Sequence, residues 1–195
     1  VHNETILEVI QKRTLIVTEL DPPKTLQLDK MFSGAKALKE SGADAITLAD
    51  NSLAIMLVSN VAIAHLLQQK VNIRPLLHLA CRDRNLIGMQ SELLGIHALG
   101  MSHVLALTGD PAKSGDHPGA TSVYDLNSVT LIQLMVQMND GHTPSGRDLK
   151  ARTRFVIGCS FNPNVKNLDV QLKRLERKLK AGAQYVMTQP IFDPK

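Results

Sequence analysis

The residues with the clearest chemical potential lie in the stretch LALTGDP, Leu105–Pro111. Gly109 lets a flat ligand approach the backbone, and Pro111 fixes the path of the chain beyond it. The carboxylate of Asp110 can accept hydrogen bonds from a heterocycle or stabilise a transient cation. An ordinary Gly-Asp-Pro turn without a ligand is the alternative interpretation of this segment.

Two carboxylates close the first apolar, β-branched stretch, TLIVTELDPP, which runs from Thr14 to Pro23. Glu19 and Asp21 are two residues apart, so on an extended chain they share a face and gather like charge at one spot. On this segment alone, Glu19 is either directed at a site or simply the first solvated residue of a loop.

Other apolar stretches also carry polar groups. His78 lies among leucines in RPLLHLAC, where it is either a buried histidine satisfied by a neighbouring carbonyl or a ligand-binding group. Thr188 and Gln189 supply neutral donors and acceptors, which suit an amide-like ring edge better than a phosphate. Three histidines that fall on helices or at the opposite ends of the strands are assigned no role: His65, His97 and His103.

Six predicted strands, alternating with helices, must position these groups. Three of them follow a helix end, a capping glycine and a turn, within Lys39–Asp50, His97–Asp110 and Leu179–Asp193. The other three lie in the opening stretch, in Arg74–Cys81 and in Arg154–Phe161. Helices are predicted within Leu26–Glu40 and over Ser52–Gln69 with Ser52 as N-cap, Asn85–Leu99, Asp125–Met138 and Leu168–Lys180. The long polar connection Asn139–Thr153 is interpreted as an insertion without chemistry.

Strand–helix alternation with near-continuous apolar strands predicts a parallel sheet that is buried on both faces. A dinucleotide-binding, doubly wound sheet would carry a glycine-rich turn after its first strand, where Pro22 and Pro23 stand instead. All the predicted strands end on polar side chains, which is the arrangement of a barrel active-site rim. The sequence therefore predicts an α/β fold, a (β/α)8 TIM barrel, with Glu19 directed at its site.

The length of the chain modifies this prediction. Closing such a barrel takes eight β/α units and typically ~250 residues, whereas this chain has 195 residues and stops after the sixth strand. Left open, the sheet would expose two parallel edges, which is an aggregation liability. We therefore expect a barrel truncated after the sixth strand, with residues 1–195 forming one domain incomplete at its C-terminus. Because Val1 is not a methionine, we also expect a segment upstream.

Composition disfavours several classes of function. Hydrophobic residues make up 44% of the chain and aromatics 3%, which suits helices packed on a buried sheet. The net charge is +4, but the basic residues do not form a stripe with aromatic residues between them. No nucleic-acid partner is therefore expected. Two cysteines, Cys81 and Cys159, are too few for a disulfide framework, which favours a cytoplasmic location. We expect no membrane segment, no metal and no serine-hydrolase elbow, because none of their signatures occurs.

Five motifs at the strand ends carry a family resemblance. They occur in order over about Lys12 to Pro194: the glutamate before the Pro pair, AITLADNS, LLHLACRDRN, LALTGDP and KAGAQYVMTQPIFD. Together they resemble the methylenetetrahydrofolate reductase family. The sequences of these motifs are most similar to those of the bacterial branch in which a homocysteine S-methyltransferase domain precedes the reductase. The resemblance therefore implies that the expected upstream segment is that domain.

The resemblance implies a flavoprotein oxidoreductase of one-carbon metabolism. FAD would carry a hydride from NADH or NADPH to 5,10-methylenetetrahydrofolate, and the 5-methyltetrahydrofolate formed would feed methionine synthesis. The implied partners are the folate substrate and the nicotinamide cofactor, and a homo-oligomer is compatible with the sequence. No ribose-reading acidic motif distinguishes NADH from NADPH.

The matching motifs also imply roles for individual residues. Glu19 would be the general acid that opens the folate imidazolidine ring to an iminium, and partial desolvation would keep it protonated. Asp110 would stabilise the iminium and tune the flavin, and Gln189 would hydrogen-bond the pterin ring. The residues implied to hold FAD are Thr47, His78, Leu107, Thr108, Gly109, Asn162 and Lys178.

Two positions depart from the family pattern. Thr108 stands where relatives often carry arginine, and Asn162 stands where they have histidine, in a stretch that here reads CSFNPNVK.

Two rival functions stay open: a flavin-free, pterin-binding methyltransferase barrel and a non-catalytic barrel fragment. A bound yellow cofactor would distinguish the reductase from the first rival, and a stable monomer without cofactor would favour the second.

Overall fold

The structure is a computed structural model that describes residues 4–192, so Asp193 of the last predicted strand stretch lies outside it. The strands are β1 (Val17–Glu19), β2 (Ala45–Leu48), β3 (Arg74–Ala80), β4 (His103–Leu107), β5 (Val156–Phe161) and β6 (Tyr185–Thr188). The helices are α1 (Ile6–Ile10), α2 (Asp29–Glu40), α3 (Asn60–Lys70), α4 (Leu86–Ala98), α5 (Ser128–Asn139) and α6 (Leu168–Lys180).

The six strands pair in chain order, β1 to β6, and every pair is parallel. A doubly wound sheet would instead reverse its strand order at a switch point. With helices along its outer face, the sheet forms a curled half-barrel, so the predicted α/β class and parallel sheet are confirmed.

Alternation along the strands separates two apolar clusters, because successive strand residues point to opposite faces. On β3, Leu77 and Leu79 pack with the helices in the larger cluster. Leu76 faces the concave side, where Leu105 and Val156 of neighbouring strands join it. Since His78 is two residues from Leu76, the same alternation places His78 on the concave side.

The helix ends follow the predicted local signals. Asn85, Asn127 and Asn167 cap α4, α5 and α6 with side-chain oxygens that accept backbone N–H groups of the first turn. Two of the predicted capping glycines, Gly42 and Gly100, have φ angles of +98° and +76°, which only glycine adopts at little cost. These local signals fix where the strands begin and therefore which residues reach their carboxyl ends.

The predicted helix over Ser52–Gln69 is wrong in its first part. Helix α3 begins at Asn60 with Ser59 as its N-cap, and a short 3-10 turn precedes it. Leu53 and Ala54 have left-handed φ angles of +55° and +58° in that turn. Tertiary bonds hold this loop: for example, the backbone N–H of Val58 donates to the carbonyl of Pro23 at 2.8 Å. Its apolar residues fit a helical period equally well, so periodicity alone could not exclude a helix.

Other differences are smaller. Helix α2 lies within the predicted range Leu26–Glu40, and α1 was not predicted. Ile6 of α1 joins the concave apolar cluster, and its backbone N–H donates to Nε2 of His103 at 3.2 Å. His103 thus lies at the amino end of β4, away from the rim, as predicted. No helix within residues 4–192 is long and apolar enough to cross a membrane.

Candidate active site

A cleft of about 450 Å³ opens at the carboxyl ends of the strands. It brings together side chains from strands that are far apart in the chain, because all carboxyl ends of a parallel sheet meet at one edge. The predicted site residues that line it are Glu19, Thr47, His78, Leu107, Gly109, Asp110 and Gln189. Three predicted residues do not line this cleft: Thr108, Asn162 and Lys178.

Glu19 ends β1, with its backbone in register with Thr47 of β2. Within residues 4–192 no group donates a hydrogen bond to its carboxylate. Partial desolvation and, secondarily, the charge of Asp21 raise the pKa of Glu19 above its ordinary value. A carboxyl in this environment holds its proton to higher pH than a solvated glutamate does.

His78 faces the cleft from the middle of β3. Its Nε2 atom is buried and has no hydrogen-bond partner among the described residues. Burial lowers the pKa of the ring, which favours the neutral imidazole at pH 7. The alternative in which a neighbouring carbonyl satisfies Nε2 therefore does not hold. A buried, unpartnered polar atom on a cleft wall is a group that a bound ligand can satisfy.

The Gly109–Asp110 turn requires a glycine. Gly109 has a φ angle of +88°, and a Cβ atom there would lie 3.1 Å from Cβ of Ala80 and 3.3 Å from Cβ of Arg82. The Tyr124 hydroxyl donates to the Gly109 carbonyl at 3.0 Å. The turn therefore brings bare backbone to the cleft and places Asp110 on its wall.

A second cleft of about 390 Å³ lies between the N-terminus of α5 and the side of α6. Thr108 lines it, and its Oγ1 accepts a hydrogen bond from the backbone N–H of Ser128 at 3.1 Å. Arg174, Arg177 and Lys178 line the opposite wall. Arg174 and Arg177 face the first turn of α5 and form, with its N-terminus, an anion-attracting arrangement.

Sequence reasoning missed Arg174 and Arg177, because the basic face of α6 looks like an ordinary solvated helix surface. Both lie within one helical turn of Lys178, which the family resemblance had already selected, so helical spacing was the signal that could have found them. What the sequence did not show is that α5 turns its N-terminus toward this face of α6.

Lys178 is not a free cation at the cleft. Its Nζ donates to the Ser160 carbonyl at 2.7 Å, and burial lowers its pKa. Asn162 lines neither of these two clefts, and its Oδ1 accepts the backbone N–H of Asn164 at 2.9 Å. Within residues 4–192, no three His, Cys, Asp or Glu side chains come together as metal ligands.

The fold and the cleft define an α/β half-barrel with its candidate site at the carboxyl ends of the strands, the position used by barrel enzymes. The family model described as methylenetetrahydrofolate reductase matches residues 4–195. This chain therefore belongs to the methylenetetrahydrofolate reductase family.

Two curated relatives carry the same name. Methylenetetrahydrofolate reductase 1 of Schizosaccharomyces pombe is 24% identical over 136 residues, which cover 67% of this chain and 20% of that protein. A probable methylenetetrahydrofolate reductase (NADH) of Oryza sativa subsp. japonica is 25% identical over 197 residues, covering 96% of this chain and 33% of that protein. The chain thus spans between a fifth and a third of the length of these relatives.

Solved structures show the same fold. An uncharacterized protein from Clostridium thermocellum, which binds two copies of 5-methyl-5,6,7,8-tetrahydrofolic acid, superposes with a TM-score of 0.63 at 15% identity and covers 96% of this chain and 58% of its own. An oxaloacetate acetylhydrolase superposes with a TM-score of 0.61 at 12% identity, covering 96% of this chain and 63% of its own. At these identities the similarity concerns the fold alone.

Proposed function

We propose that this chain contributes the folate- and flavin-binding site of an NAD(P)H-dependent methylenetetrahydrofolate reductase that feeds methionine synthesis. In this proposal residues 1–195 form six of the eight units of a (β/α)8 barrel. Six parallel strands that pair in chain order support this proposal. The homocysteine methyltransferase domain expected upstream stays a prediction.

One observation carries the proposal: side chains selected by the family motifs meet in one cleft. Glu19, His78, Asp110 and Gln189 come from four different strands or the turns that follow them and line the same cavity. Their functional groups are an acid with a raised pKa, a neutral imidazole, a carboxylate and an amide. This set suits a neutral heterocycle that develops positive charge during the reaction.

The residues present fit FAD. The unpartnered Nε2 of His78, the hydroxyl of Thr47 and the backbone of Leu107 and Gly109 would hold the flavin ring in the first cleft. The phosphates would lie in the second cleft, which Thr108 and the basic residues of α6 line. When bound, FAD would supply hydride transfer between NAD(P)H and the folate. Asn162 would act only indirectly, because it lines neither of these clefts.

The side chains of the first cleft have distinct tasks in this reaction. Glu19 donates its proton to a ring nitrogen of the folate imidazolidine, which opens the ring to an iminium cation. Asp110 stabilises that cation through its fixed negative charge. Gln189 donates and accepts hydrogen bonds along the pterin edge and orients the ring.

The deciding experiment is a visible absorption spectrum of the full-length purified protein. We expect a flavin spectrum that anaerobic NADH or NADPH bleaches and 5,10-methylenetetrahydrofolate restores, which also identifies the preferred donor. A protein that stays colourless after FAD is added would refute the proposal and favour a flavin-free pterin methyltransferase.

A further inference from the structure

A buried arginine outside the proposed catalytic set holds the Gly109–Asp110 turn. Arg82 follows β3, and its side chain is 2% exposed. Its Nη1 donates to the Asp110 carbonyl at 3.1 Å, and its Nη2 donates to the Asn51 carbonyl at 2.8 Å. One guanidinium thus joins the loops that follow β2, β3 and β4.

The charge of Arg82 is satisfied by its neighbour in the chain. Nε and Nη2 of Arg82 donate to the two carboxylate oxygens of Asp83, each at 2.8 Å. The Asn51 amide also donates to Asp83, at 3.2 Å. Because Asp83 neutralises the buried cation, the remaining N–H groups are available to orient backbone carbonyls.

The turn is also held on its other side. Gly109 packs on the stem of Arg82, since a Cβ atom at Gly109 would lie 3.3 Å from Cβ and 3.6 Å from Nη1 of that arginine. Tyr124 donates to the Gly109 carbonyl, and the preceding Val123 donates its backbone N–H to the Arg82 carbonyl at 2.8 Å. Two side chains therefore fix two consecutive carbonyls of a glycine turn that would otherwise be free to rotate.

We propose that Arg82 is a positioning residue for Asp110. By holding the Asp110 carbonyl, Arg82 fixes the direction in which the Asp110 carboxylate enters the cleft. This inference rests on the proposed function, in which that carboxylate stabilises the cationic folate intermediate and tunes the flavin. A carboxylate that moves away from the developing charge loses most of its effect, because preorganised geometry supplies the stabilisation.

The test compares Arg82→Lys with Arg84→Lys in the full-length, flavin-loaded protein. A lysine at 82 keeps the charge beside Asp83 but cannot reproduce the planar fork that reaches both carbonyls. Arg84 is the matched control: it is 20% exposed and pairs with Asp50 at 2.7 Å, without contacting the turn. We expect Arg82→Lys to slow folate reduction about 10- to 100-fold and Arg84→Lys to stay close to the wild-type rate.

Two further measurements separate positioning from general damage. If Arg82 acts through Asp110, the double variant Arg82→Lys/Asp110→Asn is no slower than Asp110→Asn alone, whereas independent effects multiply. The flavin midpoint potential provides a readout other than activity. We expect Asp110→Asn to raise it, because a nearby negative charge disfavours the reduced anionic flavin, and Arg82→Lys to raise it by a smaller amount.

Equal rates for Arg82→Lys and Arg84→Lys, or multiplying effects in the double variant, would overturn the inference while leaving the proposed function standing. A wild-type protein without flavin or folate turnover would refute the proposed function itself. If Arg82→Lys fails to fold, Tyr124→Phe decides, since it removes only the hydroxyl bond to Gly109. We expect Tyr124→Phe to slow folate reduction less than Arg82→Lys does, and to cause no further slowing when it is combined with Asp110→Asn. A wild-type rate of folate reduction in Tyr124→Phe would overturn the inference.

Discussion

Two carboxylates at opposite ends of neighbouring strands have opposite environments. Asp44, just before β2, accepts hydrogen bonds from Nη1 of Arg13 at 2.8 Å and from the backbone of Ile16 at 2.9 Å. These contacts, the Arg13 hydrogen bond above all, lower the pKa of Asp44 to about 2. Glu19, at the carboxyl end of β1, has no such donors within residues 4–192, and its pKa is raised.

The clefts at the two ends differ in the same way. The cleft at the amino ends is slightly larger, about 510 Å³ against about 450 Å³. Polar side chains that line it make hydrogen bonds to other groups of the protein. For example, Nζ of Lys39 donates to the Val71 carbonyl at 2.8 Å. Nε of Arg74 lacks a partner among the described residues, as Nε2 of His78 does at the other end, so an unpaired buried nitrogen occurs at both clefts. The pairing of the carboxylates, rather than the volume of the cleft, therefore distinguishes the candidate site: Asp44 accepts hydrogen bonds, whereas Glu19 has no donor within residues 4–192.

Glu19→Gln provides the most severe test of this comparison. The substitution removes the acid and keeps the shape, so folate reduction should fall at least about 100-fold while flavin binding and its bleaching by NAD(P)H persist. Stopped-flow absorbance of both half-reactions measures this. Asp44→Asn is the matched control at the other end of the sheet, and a wild-type folate rate in Glu19→Gln would disprove the acid assignment.

Gln189→Ala should have a smaller effect, confined to folate binding. Losing hydrogen bonds to the pterin edge should raise the KM for 5,10-methylenetetrahydrofolate about 10-fold, which corresponds to roughly 1.4 kcal/mol. The NAD(P)H-dependent half-reaction should not change. Steady-state kinetics with each substrate varied separately would show this, and an equal loss in both half-reactions would argue against a pterin contact.

The raised pKa of Glu19 predicts how the reaction depends on pH. Glu19 must be protonated to act, so the rate of folate reduction should fall as pH rises through its pKa. Desolvation is the main cause of the raised pKa, and the charge of Asp21 adds to it. Asp21→Asn should therefore move the alkaline limb of the profile to lower pH. An unmoved limb would mean that another group controls it.

Asp44→Asn should have the smallest effect on function and act on stability instead. A carboxyl whose pKa is lowered contributes stability above its ordinary pKa of 3.8, and the contribution is lost as pH falls toward about 2. Melting temperature at pH 7 should drop by a few degrees, and the difference from wild type should vanish between about pH 4 and pH 2. A reduced folate rate at pH 7 would weaken the contrast between the two ends.

The sequence by itself determined the strands, most helices and the residues at the carboxyl ends of the sheet. These follow from local rules: strands show as continuous apolar runs, and glycines such as Gly100 adopt backbone angles that other residues avoid. Because a parallel sheet gathers its carboxyl ends at one edge, the strands alone were enough to predict that Glu19, His78 and Asp110 would meet.

Only the tertiary structure decided how these groups are bonded. Lys178 could not be assigned to the Ser160 carbonyl, nor Arg82 to Asp110, because hydrogen-bond partners depend on distances between loops that are remote in sequence. The loop that contains Leu53 has the same apolar pattern as a helix, and only its contacts with neighbouring loops select the left-handed backbone. Local patterns specify the elements, whereas pairing of charges and exclusion of solvent arise only when those elements pack.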